Sequence, residues 1–282
     1  MALEPVLAQL VNDFIAAGRP SSRSQTFAER RAGYIASTVL ADETEQRVNV
    51  EDVVIEGMLL RVYSPLKAHG ALPAVIYYHG GCFVSGGFET HDNQLRQLAF
   101  YSGSRVIAVK YRLAPEHIYP AAHDDAEQAA NLIWQNDERL GIQREQITLM
   151  GDSAGGHLAL ITALRLRKSG QWLPRQLVLI YPMLDATAVS DSHKRNGEDY
   201  VLTSDTLLSG FEACFPQTDF MHPEVSPLWR DDFSGLPQVH IITAEYDPLC
   251  DEGEMLFTRL TEQGVACTAQ RYLGVIHGFF QL

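Results

Sequence analysis

The chain carries a serine at the apex of Gly151-Asp152-Ser153-Ala154-Gly155-Gly156, directly after the apolar run 147–150 and before a helical stretch, 157–168. Glycines at 151 and 155 let a strand and a helix approach closely around a strained turn, which lifts the Ser153 hydroxyl into the open above a sheet. That is the placement of a nucleophile. A serine hydroxyl attacks poorly by itself, so the turn matters only beside a proton acceptor and a site that stabilises an oxyanion. A bare Gly-x-Ser-x-Gly arises by accident in roughly one chain in ten of this length. The strand before and the helix after are the context that the chemistry requires.

A histidine is the natural acceptor for the serine proton. In the arrangement that accompanies such a turn, the chain order is nucleophile, acid, histidine. Downstream of Asp247 one histidine remains, His277, just past the candidate last strand 269–273. The acid orients the imidazole and stabilises its charged form. Asp247 follows the run 239–243, and Pro248 sets a turn there, which is where a catalytic carboxylate belongs. Glu245 and Asp251 are rivals, with helix capping or solvation as their other roles. The run 74–78 ends in His79-Gly80-Gly81-Cys82. Backbone free of side chains can turn its amides toward one point there, and the N–H of Ala154 supplies a further donor. A metal held by His79 and Cys82 is the weaker alternative, since no second ligand cluster accompanies them.

These loops need a scaffold. Residues 1–40 read as two helices, with Val6, Leu7, Leu10, Val11, Phe14 and Ile15 at helical spacing, a break at Gly18-Arg19-Pro20, then Phe27, Tyr34 and Ile35. A hairpin turning at Glu56-Gly57 follows. Five apolar runs then alternate with helices near 92–101, 124–135 and 157–168, which implies an α/β chain with a mostly parallel sheet covered on both faces. Catalytic groups in such sheets sit at the carboxyl ends of strands. Residues 187–222 break the alternation and carry Tyr200, Leu202, Leu207, Leu208, Phe211 and Phe215. With the N-terminal helices, about 1–45, this insertion is read as a lid on one α/β domain spanning 1–282. Phe83, Tyr200, Leu202, Phe211 and Phe215 are candidates for an apolar substrate pocket, with core packing as the equal alternative.

The 282 residues, 46% hydrophobic and 20% charged, describe an ordinary globular protein. A formal charge of −13 argues against nucleic acid and acidic membrane surfaces as partners. No apolar run is long enough to span a bilayer, and no secretory signal opens the chain. Four scattered cysteines (Cys82, Cys214, Cys250, Cys267) fit reduced thiols in a cytoplasmic setting better than disulfides or a zinc site.

The sequence resembles the hormone-sensitive-lipase family of α/β-hydrolases, bacterial esterases whose signature is His-Gly-Gly-Gly. The matching stretches, in order, begin at His79-Gly80-Gly81-Cys82-Phe83, Tyr111-Arg112-Leu113-Ala114-Pro115-Glu116 and Gly151-Asp152-Ser153-Ala154-Gly155-Gly156. Ser226-Pro227-Leu228, Asp247-Pro248-Leu249-Cys250-Asp251-Glu252-Gly253 and His277-Gly278-Phe279 complete them. The resemblance covers nearly the whole chain. It implies the α/β-hydrolase fold, a triad of Ser153, Asp247 and His277, and oxyanion donors on the amides of Gly81, Cys82 and Ala154. It further implies hydrolysis of short-chain acyl esters without metal or cofactor, in a monomer or homodimer, with the 111–116 segment bracing the loop near the site. An amide deacetylase with the same triad and a ligand receptor of the same fold are the competing functions; receptors that resemble this family lack a working histidine. Two departures stand out. Cys82 replaces the usual third glycine, so Cys82→Gly should keep activity, and thiol reagents should reduce it if the sulfur lines the pocket. Only five residues follow His277, where similar proteins continue into a terminal helix, which leaves open how firmly the histidine is held.

Overall fold

The computed structural model describes residues 2–18, 20–41, 48–67 and 70–282. Met1, Arg19 and 42–45 of the expected lid range lie outside the described residues. Eight strands form one sheet in the order β1-β2-β4-β3-β5-β6-β7-β8. They are β1 (Val48–Ile55), β2 (Met58–Pro65), β3 (Leu72–Tyr78), β4 (Arg105–Val109), β5 (Ile142–Asp152), β6 (Gln176–Ile180), β7 (Gln238–Tyr246) and β8 (Cys267–Ile276). β1 and β2 form the expected hairpin. Glu56 and Gly57 both take positive φ (48° and 84°), the twist that a two-residue hairpin loop prefers. From β4 through β3 to β8 every pairing is parallel.

Parallel strands need crossovers, and helices supply them. α3 (Phe88–Ser102), α4 (Ala121–Gln135), α5 (Asp137–Leu140), α6 (Ala154–Ser169), α7 (Asp191–Asn196), α8 (Ser204–Cys214) and α9 (Cys250–Glu262) lie between the strands. Side-chain alternation divides the core between the two faces of the sheet. Ile76, Ile107 and Leu149 join a large cluster with α4, α6 and α9; Val75, Tyr77 and Val106 join a smaller one with α3. Every central strand is therefore apolar on both sides, as continuous runs require.

Two helices precede the sheet, α1 (Pro5–Ala16) and α2 (Phe27–Ala36). α2 opens on a capping box, in which Thr26 Oγ1 accepts from Glu29 N–H while Glu29 Oε2 accepts from Thr26 N–H at 2.7 Å. This N-terminal region touches the insertion directly. Arg23 pairs with Asp205 (2.8 Å) and Glu212 (2.7 Å), and Arg30 donates to Ser209 Oγ at 3.0 Å, all on α8. Exposed pairs of this kind contribute little stability each, but they join segments about 180 residues apart. Among the described residues, no helix is long and apolar enough to cross a membrane.

Candidate active site

Four loops meet at the carboxyl ends of β3, β5, β7 and β8, and their sharpest bend lies between β5 and α6. Ser153 occupies it with φ 54° and ψ −119°, a conformation that costs on the order of 1–3 kcal/mol and persists only where its surroundings enforce it. They do so here. Ser153 N–H donates to Ile180 O (2.9 Å) and Ser153 O accepts from Met183 N–H (3.1 Å), fastening the turn to the end of β6. A Cβ on Gly155 would overlap the carbonyl oxygens of Tyr78 and His79, so only glycine lets α6 start this close to β3. The open hydroxyl expected from sequence is corrected in one respect: Ser153 is 3% exposed, because the surrounding segments enclose the raised turn.

The acid and the histidine meet. His277 Nδ1 lies 2.8 Å from Asp247 Oδ2, and Asp247 is fully buried. Its other oxygen, Oδ1, accepts from Leu249 N–H at 2.8 Å, which fixes the carboxylate plane. The rivals are occupied elsewhere. Glu245 accepts from Gly274 N–H (2.7 Å), whereas Asp251 accepts from Ser192 N–H (2.7 Å) and pairs with Arg195 (3.1 Å). Tyr181, the residue after β6, packs against the imidazole, its ring centroid 4.3 Å from that of His277. Among the described residues no hydrogen bond joins Ser153 to His277; such contacts are often long before substrate binds. The residues after His277 are anchored: Phe279 contacts Tyr181 (5.7 Å), Phe280 stacks on Tyr77 (6.3 Å), and Gln281 exchanges hydrogen bonds with Tyr34.

The loop after β3 is tightly wound. Gly81 takes φ 119°, Cys82 54° and Phe83 63°. Val84 and Ser85 N–H both donate to Gly81 O (3.1 and 3.0 Å), and Gly80 N–H donates to Asp152 Oδ1 (2.9 Å). None of these bonds uses the N–H of Gly81 or Cys82, and Ala154 opens α6 with its N–H free of an intrahelical acceptor. His79 donates from Nδ1 to Gly80 O (2.8 Å), and burial lowers its pKa to about 3, so the ring is a neutral prop. Tyr111 braces it, stacking at 4.2 Å and donating its hydroxyl to His79 O at 2.7 Å. Arg31 of α2 reaches the same loop, donating to Val84 O at 2.7 Å.

Three of the five pocket candidates are corrected. Phe83, Phe211 and Phe215 are at most 1% exposed and pack on one another and on His123 and His157. Burial lowers His157 to about pKa 4, so this cluster behind the loop is uncharged core rather than pocket wall. Tyr200 and Leu202 remain half-buried, with Tyr200 against Tyr246 at 5.0 Å, next to Asp247. One residue that the sequence reading missed is Asp152. Its buried carboxylate accepts from Tyr77 OH (2.7 Å) and Gly80 N–H (2.9 Å) and meets His91 Nε2 (3.1 Å), tying the serine turn to the loop after β3. Burial opposes its charge, but His91 and the hydroxyl of Tyr77 outweigh that and hold its pKa below the ordinary value. Its place directly before Ser153 was the available signal.

Residues 75–281 match the family described as alpha/beta hydrolase fold. An ethyl acetate hydrolase of Pseudomonas putida is 34% identical over 297 residues, covering 100% of this chain and 93% of that protein. A carboxylesterase of Mycobacterium tuberculosis is 35% identical over 243 residues, 83% of this chain and 76% of its own. The solved structure of a hyperthermophilic esterase from the archaeon Pyrobaculum calidifontis superposes with TM-score 0.90 at 39% identity, covering 100% of this chain and 92% of that one. The chain belongs to the α/β-hydrolase fold family, in its hormone-sensitive-lipase-like branch of carboxylesterases.

Proposed function

We propose that the chain hydrolyses short-chain carboxylic esters through an acyl-enzyme on Ser153. His277 Nε2 takes the Ser153 proton as Oγ bonds to the ester carbonyl carbon. The carbonyl oxygen becomes an oxyanion held by the amides of Gly81, Cys82 and Ala154, donors already fixed before the charge arises. The intermediate collapses, the C–O bond to the alcohol breaks, and His277 returns the proton to the leaving oxygen. Water then repeats the steps and releases the acid. Asp247 holds the imidazole with Nδ1 protonated, so that Nε2 faces the serine. The observation that supports this reading is the 2.8 Å contact between His277 and the fully buried Asp247, with Tyr181, the residue directly after the Ile180 carbonyl that Ser153 N–H bonds, packed against the imidazole.

The proposed substrates are confined to esters of short acyl groups. The similar ethyl acetate hydrolase of Pseudomonas putida supports the same size class. The N-terminal helices and the 187–222 insertion, joined through Arg23 and Arg30, act as the cap over this site. The test is Ser153→Ala with p-nitrophenyl butyrate. A folded variant should lose roughly 10⁴-fold or more in kcat, and one with near-native turnover overturns the assignment. A matched p-nitroanilide gives the ester-to-amide ratio on the unaltered protein, which is expected to favour the ester strongly.

A further inference from the structure

We infer that α7 is a positioning element for the Asp247 loop, with Asn196 as its positioning residue; the inference rests on the triad proposed above. The six-residue helix Asp191–Asn196 buries Ser192, His193 and Asn196 (0%, 7% and 6% exposed), three polar side chains on one face. Buried polar groups are costly unless hydrogen-bonded. All three are satisfied on the polypeptide that surrounds Asp247.

Asn196 Nδ2 donates to Glu245 O and Asp247 O, both at 3.2 Å, and so pins the two carbonyls on either side of Tyr246. Ser192 Oγ donates to Pro248 O (2.6 Å) and accepts from Asp251 N–H (3.2 Å). His193 Nε2 meets Glu252 Oε1 at 2.9 Å, and Glu252 Oε2 accepts from the N–H groups of Leu184 (2.6 Å) and Asp185 (2.9 Å) just beyond β6. Within the loop, Asp247 O takes a bond from Cys250 N–H (3.2 Å), and Pro248 has no N–H to give. To this bond, and to those that Asp247 makes with Leu249 N–H and His277, α7 adds the restraints from Asn196 and Ser192. The same helix is tied toward α8, through His193 Nδ1 to Ser204 Oγ (2.9 Å) and Ser204 N–H to Gly197 O (2.8 Å). The insertion thus does two things: α8 lies with the N-terminal helices, while α7 sets where the acid stands. A shift of α8 is felt at Asp247.

Asn196→Ala removes both restraints and Asn196→Asp keeps the volume while replacing the donor with an acceptor that faces two carbonyls. Both are assayed with p-nitrophenyl butyrate and by the rate at which diethyl p-nitrophenyl phosphate labels Ser153. The expected result is kcat lower by about 10-fold or more, KM within about twofold, and labelling slowed by the same factor as kcat, because misplacement at the reacting centre acts on the barrier rather than on binding. Lys194→Ala, on the exposed face of α7, should leave all three unchanged. Folded Asn196→Ala, or Asn196→Asp if the first does not fold, with native kcat and native labelling overturns the inference. So does a fall that tracks only the fraction unfolded in the melting curve. If Ser153→Ala stays active, or the reagent fails to label Ser153 in the unaltered protein, the triad itself is refuted; native labelling of an Asn196 variant sinks only the role given to α7.

Discussion

The two sides of the site are built by different means. On one side, the serine turn and the loop after β3 are shaped by backbone. Gly155 presses against Tyr78 O and Gly81 against Ser85, while Ser153, Cys82 and Phe83 sit at φ between 54° and 63°. On the other, Asp247 and His277 occupy loops held by side chains from elsewhere: Asn196 and Ser192 around the acid, Tyr181 against the ring. The division follows the chemistry. Oxyanion donors are N–H groups that must point at one place before charge appears, and only rigid backbone gives that without slack. A carboxylate and an imidazole need orientation, which hydrogen bonds supply in graded amounts.

That contrast predicts brittle behaviour on the first side. Gly155→Ala adds one methyl group, and it lands on the carbonyls of Tyr78, the last residue of a central strand, and of His79 just beyond it, where backbone has no room to yield. The expected loss is about 3 kcal/mol or more, read as failure to recover folded protein or as a large fall in the thermal midpoint. A Gly155→Ala protein with native melting and turnover would show that close approach is not what shapes the turn.

The same contrast explains what could be read in the sequence. The backbone-held side is built from two local motifs: strand, glycine-rich turn and helix lie within about twenty residues around Ser153, so that serine could be named from spacing and context, whereas the assignment of Gly81 and Cys82 comes from the family resemblance. The parallel sheet was legible too, because strands buried on both faces must be continuously apolar. The side-chain-held half is not local. Asn196 and Asp247 are 51 positions apart, Ser192 and Pro248 56, and nothing in composition marks the polar residues of a six-residue helix as buried. Aromatic residues misled for a related reason. Phe211 and Phe215 look alike in sequence whether they line a pocket or fill a core, and only their packing on Phe83 shows that the core claims them.

Sensitivity to pH should enter through the side-chain-held half. Glu252 is fully buried between His193 and the amides of Leu184 and Asp185, and burial, with the Asp185 carboxylate adding to it, raises its pKa from 4.5 to about 7. The native state then holds this proton more tightly than the unfolded chain does. Its share of stability is fully present below about pH 4.5 and is lost as pH climbs through about 7. Glu252→Gln keeps an oxygen for the two amides but cannot ionise. Between pH 5 and 9 its thermal midpoint should fall less than that of the unaltered chain, by a difference on the order of 3 °C. Identical pH dependence in the two proteins would remove Glu252 as the source.

The smallest effect is expected at Cys82, where the two means of construction meet. Its side chain is 5% exposed, and its Cβ leaves room only for a glycine at position 210 of α8. Burial pushes the thiol up to about 11, as it does that of Cys267, so thiolate is scarce at both and it is access that separates the buried Cys82 from the partly exposed Cys267. From the sequence, thiol reagents are expected to reduce activity only if the sulfur lines the pocket, and the sulfur is packed away instead. Iodoacetamide at pH 7.5 should leave hydrolysis unchanged, with peptide mass spectrometry finding Cys82 unmodified while partly exposed Cys267 reacts first. Cys82→Gly should keep kcat within about twofold, since the amide that would hold the oxyanion stays in place. Its stability should move by no more than about 1 kcal/mol, because relief of a left-handed angle offsets the lost packing and the added freedom of the unfolded chain. A large loss of turnover in folded Cys82→Gly would mean that the thiol, and not only the backbone, shapes the loop, and the line between the two halves would have to be redrawn at this residue.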